Sequence, residues 1–325
     1  MKDSLRTLCN QFIEDRDIIK GTFKWESSYM YPVCANLFCA RGVKPDEDKL
    51  RECKEIISQQ TGIFSSFRGN IRIPLICMLS LEDHPREKFS SAQEIYWDLK
   101  EYFRGSDYLA LTAFLLTDDD YSQEKLARGR RIYRLMKDEH PFLTSSEDSI
   151  FAVLMASSEK TDEALIRDME TCYRRMKEHF SDSNCVQTMS HIMALDSENA
   201  EIVSDKVLTL YEAIEKAGRK YGKHHELSIL AALATMKIVP DQAARDIMDA
   251  DAFLAEQKGY GALGMDKKTR LMHAAMIVSD EYVPHDTMEQ VSLTGTISMM
   301  IAQQMMMCAV MASTTAAAAA ASAHH

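Results

Sequence analysis

The stretch of this sequence that offers the most chemistry is residues 62–70, which read Gly-Ile-Phe-Ser-Ser-Phe-Arg-Gly-Asn. The serine and asparagine side chains offer hydrogen bonds, the arginine fork can hold an anion, and the phenylalanines can wall a pocket. The glycines let backbone approach a ligand closely. We therefore predict a site for a small anionic ligand or a peptide carboxylate. Its residues are Phe64, Ser65, Ser66, Phe67, Arg68 and Asn70, with Trp25 from the equivalent turn upstream.

A structural interpretation of the same stretch competes with the binding one. Gly62 would end a helix predicted over residues 46–60, and the phenylalanines would fill the gap between neighbouring helices. Arg68 would then bond the exposed carbonyl groups of a helix end. Both interpretations fit the sequence, and the structural one needs no ligand.

Other polar clusters lack the spacing that their chemistry requires. Asp118, Asp119 and Asp120 are consecutive carboxylates, without the alternating ligands and distal glutamate of a calcium loop. His224 and His225 are neighbours, so they cannot share one helix face as i, i+4 metal ligands do. A dinucleotide-binding loop follows a strand, and no strand is predicted before the glycine-rich run at 259–264. We predict no metal and no cofactor, and we assign no catalytic residue.

The charge balance disfavours nucleic acid as a partner. The chain has 38 Lys and Arg against 49 Asp and Glu, which gives a formal net charge of −11. Such a surface repels a phosphate backbone. Basic residues do cluster near Arg128, Arg174 and Arg219, but acidic residues lie among them, which is typical of a solvated helix face.

The cysteines indicate a reducing compartment. Eight cysteines are scattered along the chain without a Cys-x-x-Cys pair, and most have apolar neighbours. Buried, reduced thiols are typical of cytosolic proteins. The first residues carry charges and form no apolar signal segment. We therefore expect a cytoplasmic protein.

The elements that would position these residues are predicted by an internal repeat. The segments around Tyr96, Tyr133, Tyr173 and Tyr211 resemble one another, and with Phe253 they recur about every 37–42 residues, the period of a helix–turn–helix repeat. The first helix of each repeat has a narrow apolar stripe, as in Val203, Val207, Leu210 and Ile214. Ser91 followed by Glu94 fits a capping box and predicts a helix start there.

The second helix of each repeat is apolar around most of its circumference, as at residues 227–236 and 271–278. A helix of that kind must be covered on several sides, and stacked hairpins provide the cover. No sustained alternation predicts strands. The fold class is therefore all-α: a right-handed α-solenoid-like stack of about seven helical hairpins with a C-terminal helix.

The C-terminal part of the chain is distinct in composition. Residues 290–323 contain no charge, and a run of methionines is followed by an alanine tract. We divide the chain into a helical-repeat domain at 1–285, a Met-rich C-terminal helix at 286–312 and a low-complexity tail at 313–325. The Met-rich helix would cap the last repeat. A membrane anchor and a partner-binding methionine surface are the alternatives.

The run at 62–70, with Phe-Lys-Trp-Glu at 23–26, resembles a family from Gram-positive bacteria known as domain of unknown function four thousand and three. The resemblance extends over nearly the whole chain, but only the nine-residue run is specific. It implies a bacterial cytoplasmic protein and carries over no catalytic residue, because the family has no established activity.

These features favour an interaction protein over an enzyme. A stack of hairpins presents extended surfaces to a protein or peptide partner, or to a small anionic ligand. The first alternative is an enzyme with a dispersed site near residues 62–70 that acts on a small anionic substrate. The second is membrane association through the C-terminal tail.

Overall fold

The computed structural model describes residues 1–24, 30–118, 121–146, 148–196, 198–236, 238–261 and 264–282. Within these ranges the chain forms fourteen α-helices, two short 3₁₀ turns and no strand, so the all-α prediction is confirmed. The helices are α1 (Asp3–Thr22), α2 (Met30–Arg41), α3 (Glu47–Gln60), α4 (Arg72–Leu79), α5 (Pro85–Lys100), α6 (Asp107–Leu115), α7 (Gln123–Glu139), α8 (Asp148–Met155), α9 (Asp162–Lys177), α10 (Ser183–Ala194), α11 (Ala200–Lys216), α12 (Leu227–Ala234), α13 (Pro240–Ala255) and α14 (Lys267–Tyr282). From α3 to α14 consecutive helices pair in chain order into six hairpins, as the repeat predicts.

The predicted contrast between the two helices of a hairpin is also present. In α11 the stripe of Val203, Val207, Leu210 and Ile214 is buried, while charged residues of the opposite face are exposed. In α12 every residue is buried. Second helices pack on second helices, α2 on α4, α6 on α8, and α10 on α12 on α14. This stacking supplies the cover that an all-round apolar helix needs.

Aromatic pairs explain why a tyrosine recurs in the first helices. An aromatic residue in the turn of one hairpin packs edge-on against the tyrosine of the next hairpin's first helix. The pairs and their ring-centroid distances are Phe67–Tyr96 at 5.2 Å, Phe103–Tyr133 at 5.5 Å and Phe180–Tyr211 at 5.2 Å. Edge-to-face pairs of this kind stabilise by about 1 kcal/mol beyond the burial of their area. The repeat therefore encodes contacts between hairpins as well as the hairpins themselves.

One predicted helix start is wrong. Helix α5 begins at Pro85 with His84 as its N-cap, so Ser91 and Glu94 lie inside the helix and form no capping box. Proline is favoured in the first helical turn because its missing N–H has no partner there and its φ is preset. Buried Phe89 extends the apolar stripe upstream of Ser91, and its packing carries the helix back to the proline.

The described residues form two compact units. One comprises residues 15–158, and the other comprises residues 159–282 with residues 1–14. Helix α1 therefore contributes to both units. Its first part is fixed in the second unit by burial of Leu5 and Phe12 and by the ion pair from Lys2 Nζ to Asp246 at 2.8 Å.

Among the residues described above, no helix is both long and apolar enough to cross a membrane. The same residues contain no group of three or more His, Cys, Asp or Glu side chains placed to hold a metal ion. The Met-rich helix at 286–312 and the tail at 313–325 lie outside the described residues.

Candidate functional site

A cleft of about 840 Å³ opens to solvent in the 15–158 unit, at the segment that the sequence singles out. One wall is the turn after α3, and the other is a face of α5 with the turn that follows it. The lining residues are Gln60, Thr61, Gly62, Ile63, Phe64, Ser65, Ser66, Phe67, Gln93, Tyr96, Trp97, Lys100 and Gly105.

The turn wall is held by short-range hydrogen bonds. Thr61 ends α3 and its hydroxyl donates to the Ile57 carbonyl at 2.5 Å. The Ser65 amide then donates to the Gly62 carbonyl at 3.1 Å, and the Ser65 hydroxyl accepts from the Phe67 amide at 3.3 Å. Ser65 thereby caps the 3₁₀ turn Ser66–Arg68. Hydroxyl groups used in this way fix the backbone of a turn.

Phe67 anchors the turn to the core. Its side chain is 2% exposed and packs edge-on against Phe89 at 5.1 Å and Tyr96 at 5.2 Å, both on α5. The Tyr96 hydroxyl adds a hydrogen bond to Ser66 Oγ at 3.0 Å. Because the turn is pinned at this point, the residues before it are held away from the core: Phe64 is 96% exposed.

Arg68 makes the helix-end contacts that the structural interpretation requires. Its Nε donates to Thr61 Oγ1 at 2.9 Å, and its terminal guanidinium nitrogen donates to the Ser58 carbonyl. Helix α3 has no basic residue of its own in its last turn. A guanidinium at this position satisfies carbonyls that the helix leaves open and opposes the negative end of the helix dipole.

Asn70 also serves the backbone. Its backbone N–H donates to Asp107 Oδ2 at 2.8 Å, and this bond ties the turn to the start of α6. Gly69 makes this approach possible, because a Cβ added there would lie 2.2 Å from the same carboxylate oxygen. Neither Arg68 nor Asn70 lines the cleft.

The α5 wall carries an exposed indole and a cation. Trp97 is 62% exposed, and Lys100 Nζ lies 4.4 Å from the centroid of its ring, within cation–π range. Gln93 Nε2 donates to the Gln60 carbonyl at 3.0 Å and joins the two walls. Gly105 has no side chain that could collide with this wall. A Cβ there would lie 3.0 Å from the Tyr96 hydroxyl and 3.4 Å from Lys100 Cε.

The cleft offers little for acid–base catalysis. Its lining residues include no Asp, Glu, His or Cys, and Tyr96 and Lys100 are its only ionisable side chains. A general base beside a nucleophile, the arrangement that a dispersed active site at residues 62–70 requires, is not provided by this lining set. The arrangement suits binding of an apolar group next to an anionic one.

The predicted site residues therefore divide into three groups. Phe64, Ser65, Ser66 and Phe67 line the cleft. Arg68 and Asn70 lie behind it, and Trp25 lies outside the described residues. Residue types alone could not separate these groups, since they do not show which way each side chain of a turn points.

Sequence reasoning missed the α5 wall, although a signal for it exists. In the aligned repeats the position of Trp97 is occupied by Arg134, Arg174 and Glu212, all on the polar face of a first helix. A tryptophan in a position otherwise kept for charge has no core to pack into. Its ring is instead 62% exposed and lines the cleft.

Two histidines form pairs with structural roles. His224 Nδ1 lies 2.8 Å from Asp182 Oδ2, and Asp182 is the N-cap of α10. Burial alone would raise the Asp182 pKa, but hydrogen bonds from His224 and the Cys185 amide outweigh it and hold the pKa below its usual 3.8. His273 is fully buried with its Nδ1 2.9 Å from the Tyr260 hydroxyl.

The comparisons with known proteins give a relative and a family. The Bacillus subtilis (strain 168) protein named "Uncharacterized protein YeaA" is 23% identical over 228 residues, which cover 66% of this chain and 69% of that protein. No solved structure matches the chain. The sequence profile of the family described as "Protein of unknown function (DUF4003)" matches residues 17–306, and that span includes both walls of the cleft. This chain therefore belongs to the DUF4003 family.

Proposed function

We propose that this protein is an interaction module that binds a segment of a partner protein in the cleft between the 61–67 turn and α5. The observation that carries the proposal is a cluster of three large apolar side chains that are exposed to solvent. Ile63 is 74% exposed, Phe64 96% and Trp97 62%, and all of them line the cleft.

Exposure of this kind costs free energy unless a partner covers it. Exposed apolar residues scattered singly are normal, whereas a group rimmed by polar residues marks an interaction site. Here the polar side chains of Gln60, Gln93 and Lys100 line the same cleft. Aromatic residues, tryptophan above all, supply much of the affinity of such sites.

The rigid backing of the cleft supports the same proposal. The turn is fixed by Phe67 in the core, by Arg68 on the end of α3 and by the Asn70 amide on Asp107. A surface whose backbone is held in this way loses little conformational entropy on binding, so its apolar area contributes more to affinity. We also propose a cytoplasmic location, which is supported by the observation that none of the seven described cysteines is in a disulfide.

The test is capture of partners by three forms of the protein in parallel. The wild type, Trp97→Ala and Phe142→Ala are immobilised and incubated with lysate from a Gram-positive bacterium. Phe142 is the matched control because it is fully exposed in the same unit but does not line the cleft. We expect a protein retained by the wild type and by Phe142→Ala.

Truncation of Trp97 should weaken the binding of that protein about 30-fold, the effect of losing a central tryptophan contact worth about 2 kcal/mol. Retention that is equal for all three forms would place the partner elsewhere on the molecule and would refute the proposal. Circular dichroism of each variant checks that the fold is unchanged.

A further inference from the structure

The charge of the cleft identifies the chemistry of its occupant. Lys100 is the only charged side chain among the lining residues, in a chain whose formal net charge is −11. Among the described residues no carboxylate lies within ion-pair distance of its ammonium group, whose contacts are the rings of Trp97 and Tyr96. The cleft therefore presents a local positive charge on an acidic protein.

The position of this charge is defined by its surroundings. The ammonium lies 4.4 Å from the centre of the Trp97 ring and 5.8 Å from that of Tyr96. Gly105 leaves room for the Lys100 stem. An ammonium has three N–H donors, so one that lies over a ring can still donate to an incoming oxygen. A group bound by Lys100 would rest beside the indole.

Nearby acids do not cancel this charge. Asp98, on the same helix, accepts a hydrogen bond from the Tyr121 hydroxyl at 2.6 Å and does not line the cleft. Glu101, the next residue along the chain, is exposed and likewise does not line the cleft. Carboxylates more than about 8 Å away act weakly, because that is the screening length in physiological salt. A carboxylate that enters the cleft therefore meets Lys100 first.

We infer that the cleft takes an extended acidic–apolar peptide segment, in which a glutamate or aspartate side chain reaches Lys100 while neighbouring aliphatic or aromatic residues cover Trp97 and Phe64. This inference rests on the proposed function and adds the class of partner. A peptide fits better than a small molecule, since the apolar groups are spread over two walls of an open cleft of about 840 Å³. Small ligands are usually held in sites that enclose most of their surface.

The test uses the full chain with the substitution Trp25→Phe. Because the chain has two tryptophans, this substitution leaves Trp97 as the only one, and its fluorescence then reports on the cleft. The probes are short acetylated and amidated peptides, Ala-Phe-X-Leu-Ala, with X as glutamate, glutamine or lysine. We expect the glutamate peptide to bind about fivefold more tightly than the glutamine peptide, the upper range for one exposed ion pair. The preference should shrink as salt is raised.

Charge reversal supplies the decisive control. In Lys100→Glu the lysine peptide should become the preferred one, while in Lys100→Met all three peptides should bind with equal affinity. Binding of all three with no preference in the starting protein would overturn this inference and leave the proposed function standing. Absence of binding by any peptide, together with equal partner capture by the wild type and Trp97→Ala, would remove both. Binding of benzoate as tightly as the glutamate peptide would overturn the peptide assignment in favour of a small carboxylate.

Discussion

Replacement of Arg68 by alanine separates the two roles that the sequence allows for this residue. In the structure its guanidinium donates to the Ser58 carbonyl and to Thr61 Oγ1 at the C-terminal end of α3. It does not line the cleft. We therefore expect Arg68→Ala to lower the free energy of unfolding of the protein and to leave peptide or partner binding unchanged.

The size of the effect follows from the contacts that are lost. Hydrogen bonds from a charged donor contribute about 1.5–3 kcal/mol, and a cation at a helix C-terminus adds about 0.5 kcal/mol. Ordering a long side chain opposes this by up to about 2 kcal/mol. Since Arg68 is partly exposed, we expect a net loss of about 1–2 kcal/mol.

Urea denaturation followed by circular dichroism measures this loss. Arg51→Ala is the matched control, because Arg51 lies at the other end of the same helix and makes only exposed ion pairs with Glu47 and Asp48. Such pairs contribute about 0.5 kcal/mol or less. If Arg68→Ala matched Arg51→Ala in stability but abolished ligand binding, the capping role would be refuted and the anion-binding role restored.

Three further predictions concern other parts of the fold. Gly129→Val should lower the free energy of unfolding by about 2 kcal/mol or more, because a Cβ at Gly129 would lie 3.1 Å from Val153 Cα. Gly129→Ala gains about 1 kcal/mol of helix propensity and should therefore cost far less in the same urea titration. The folded-state pKa of Asp182 is lowered, so its carboxylate stabilises the fold above pH 3.8 and this contribution is lost as the pH falls below that value. Acid titration of Asp182→Asn should therefore show a weaker loss of stability than the wild type. Gly105→Leu should fill the cleft and abolish partner capture; because its Cβ would lie 3.0 Å from the Tyr96 hydroxyl, it should also lower the urea midpoint, by the equivalent of about 1 kcal/mol or more.

The parts of the fold that depend on periodicity could be predicted from the sequence. The apolar second helices and the repeated tyrosine specify the stacked hairpins, since each pattern has one way to bury its surface. Helix starts could be predicted less well. The Ser91 signal was overridden because packing of Phe89 and the preset φ of Pro85 favour a longer helix.

The site was only partly predictable, for a reason that lies in geometry. Residues 62–70 are chemically unusual for two reasons: some of them line the cleft, and others hold its wall in place. Composition does not tell these two groups of residues apart. Phe64 and Phe67 are the same residue type within one turn, yet one is 96% exposed and the other 2%. The opposite wall comes from the next hairpin, whose Trp97 stands out only when the repeats are aligned.

The division of α1 between the two units has a consequence for how the chain can be cut. A fragment that starts at residue 159 follows the chain order but lacks Leu5, Cys9 and Phe12, which are fully buried in that unit. It would also leave Asp246 without Lys2 and His273 without its neighbour Phe12. Production of that unit alone should therefore fail, and a synthetic peptide of residues 1–22 added in trans should restore it.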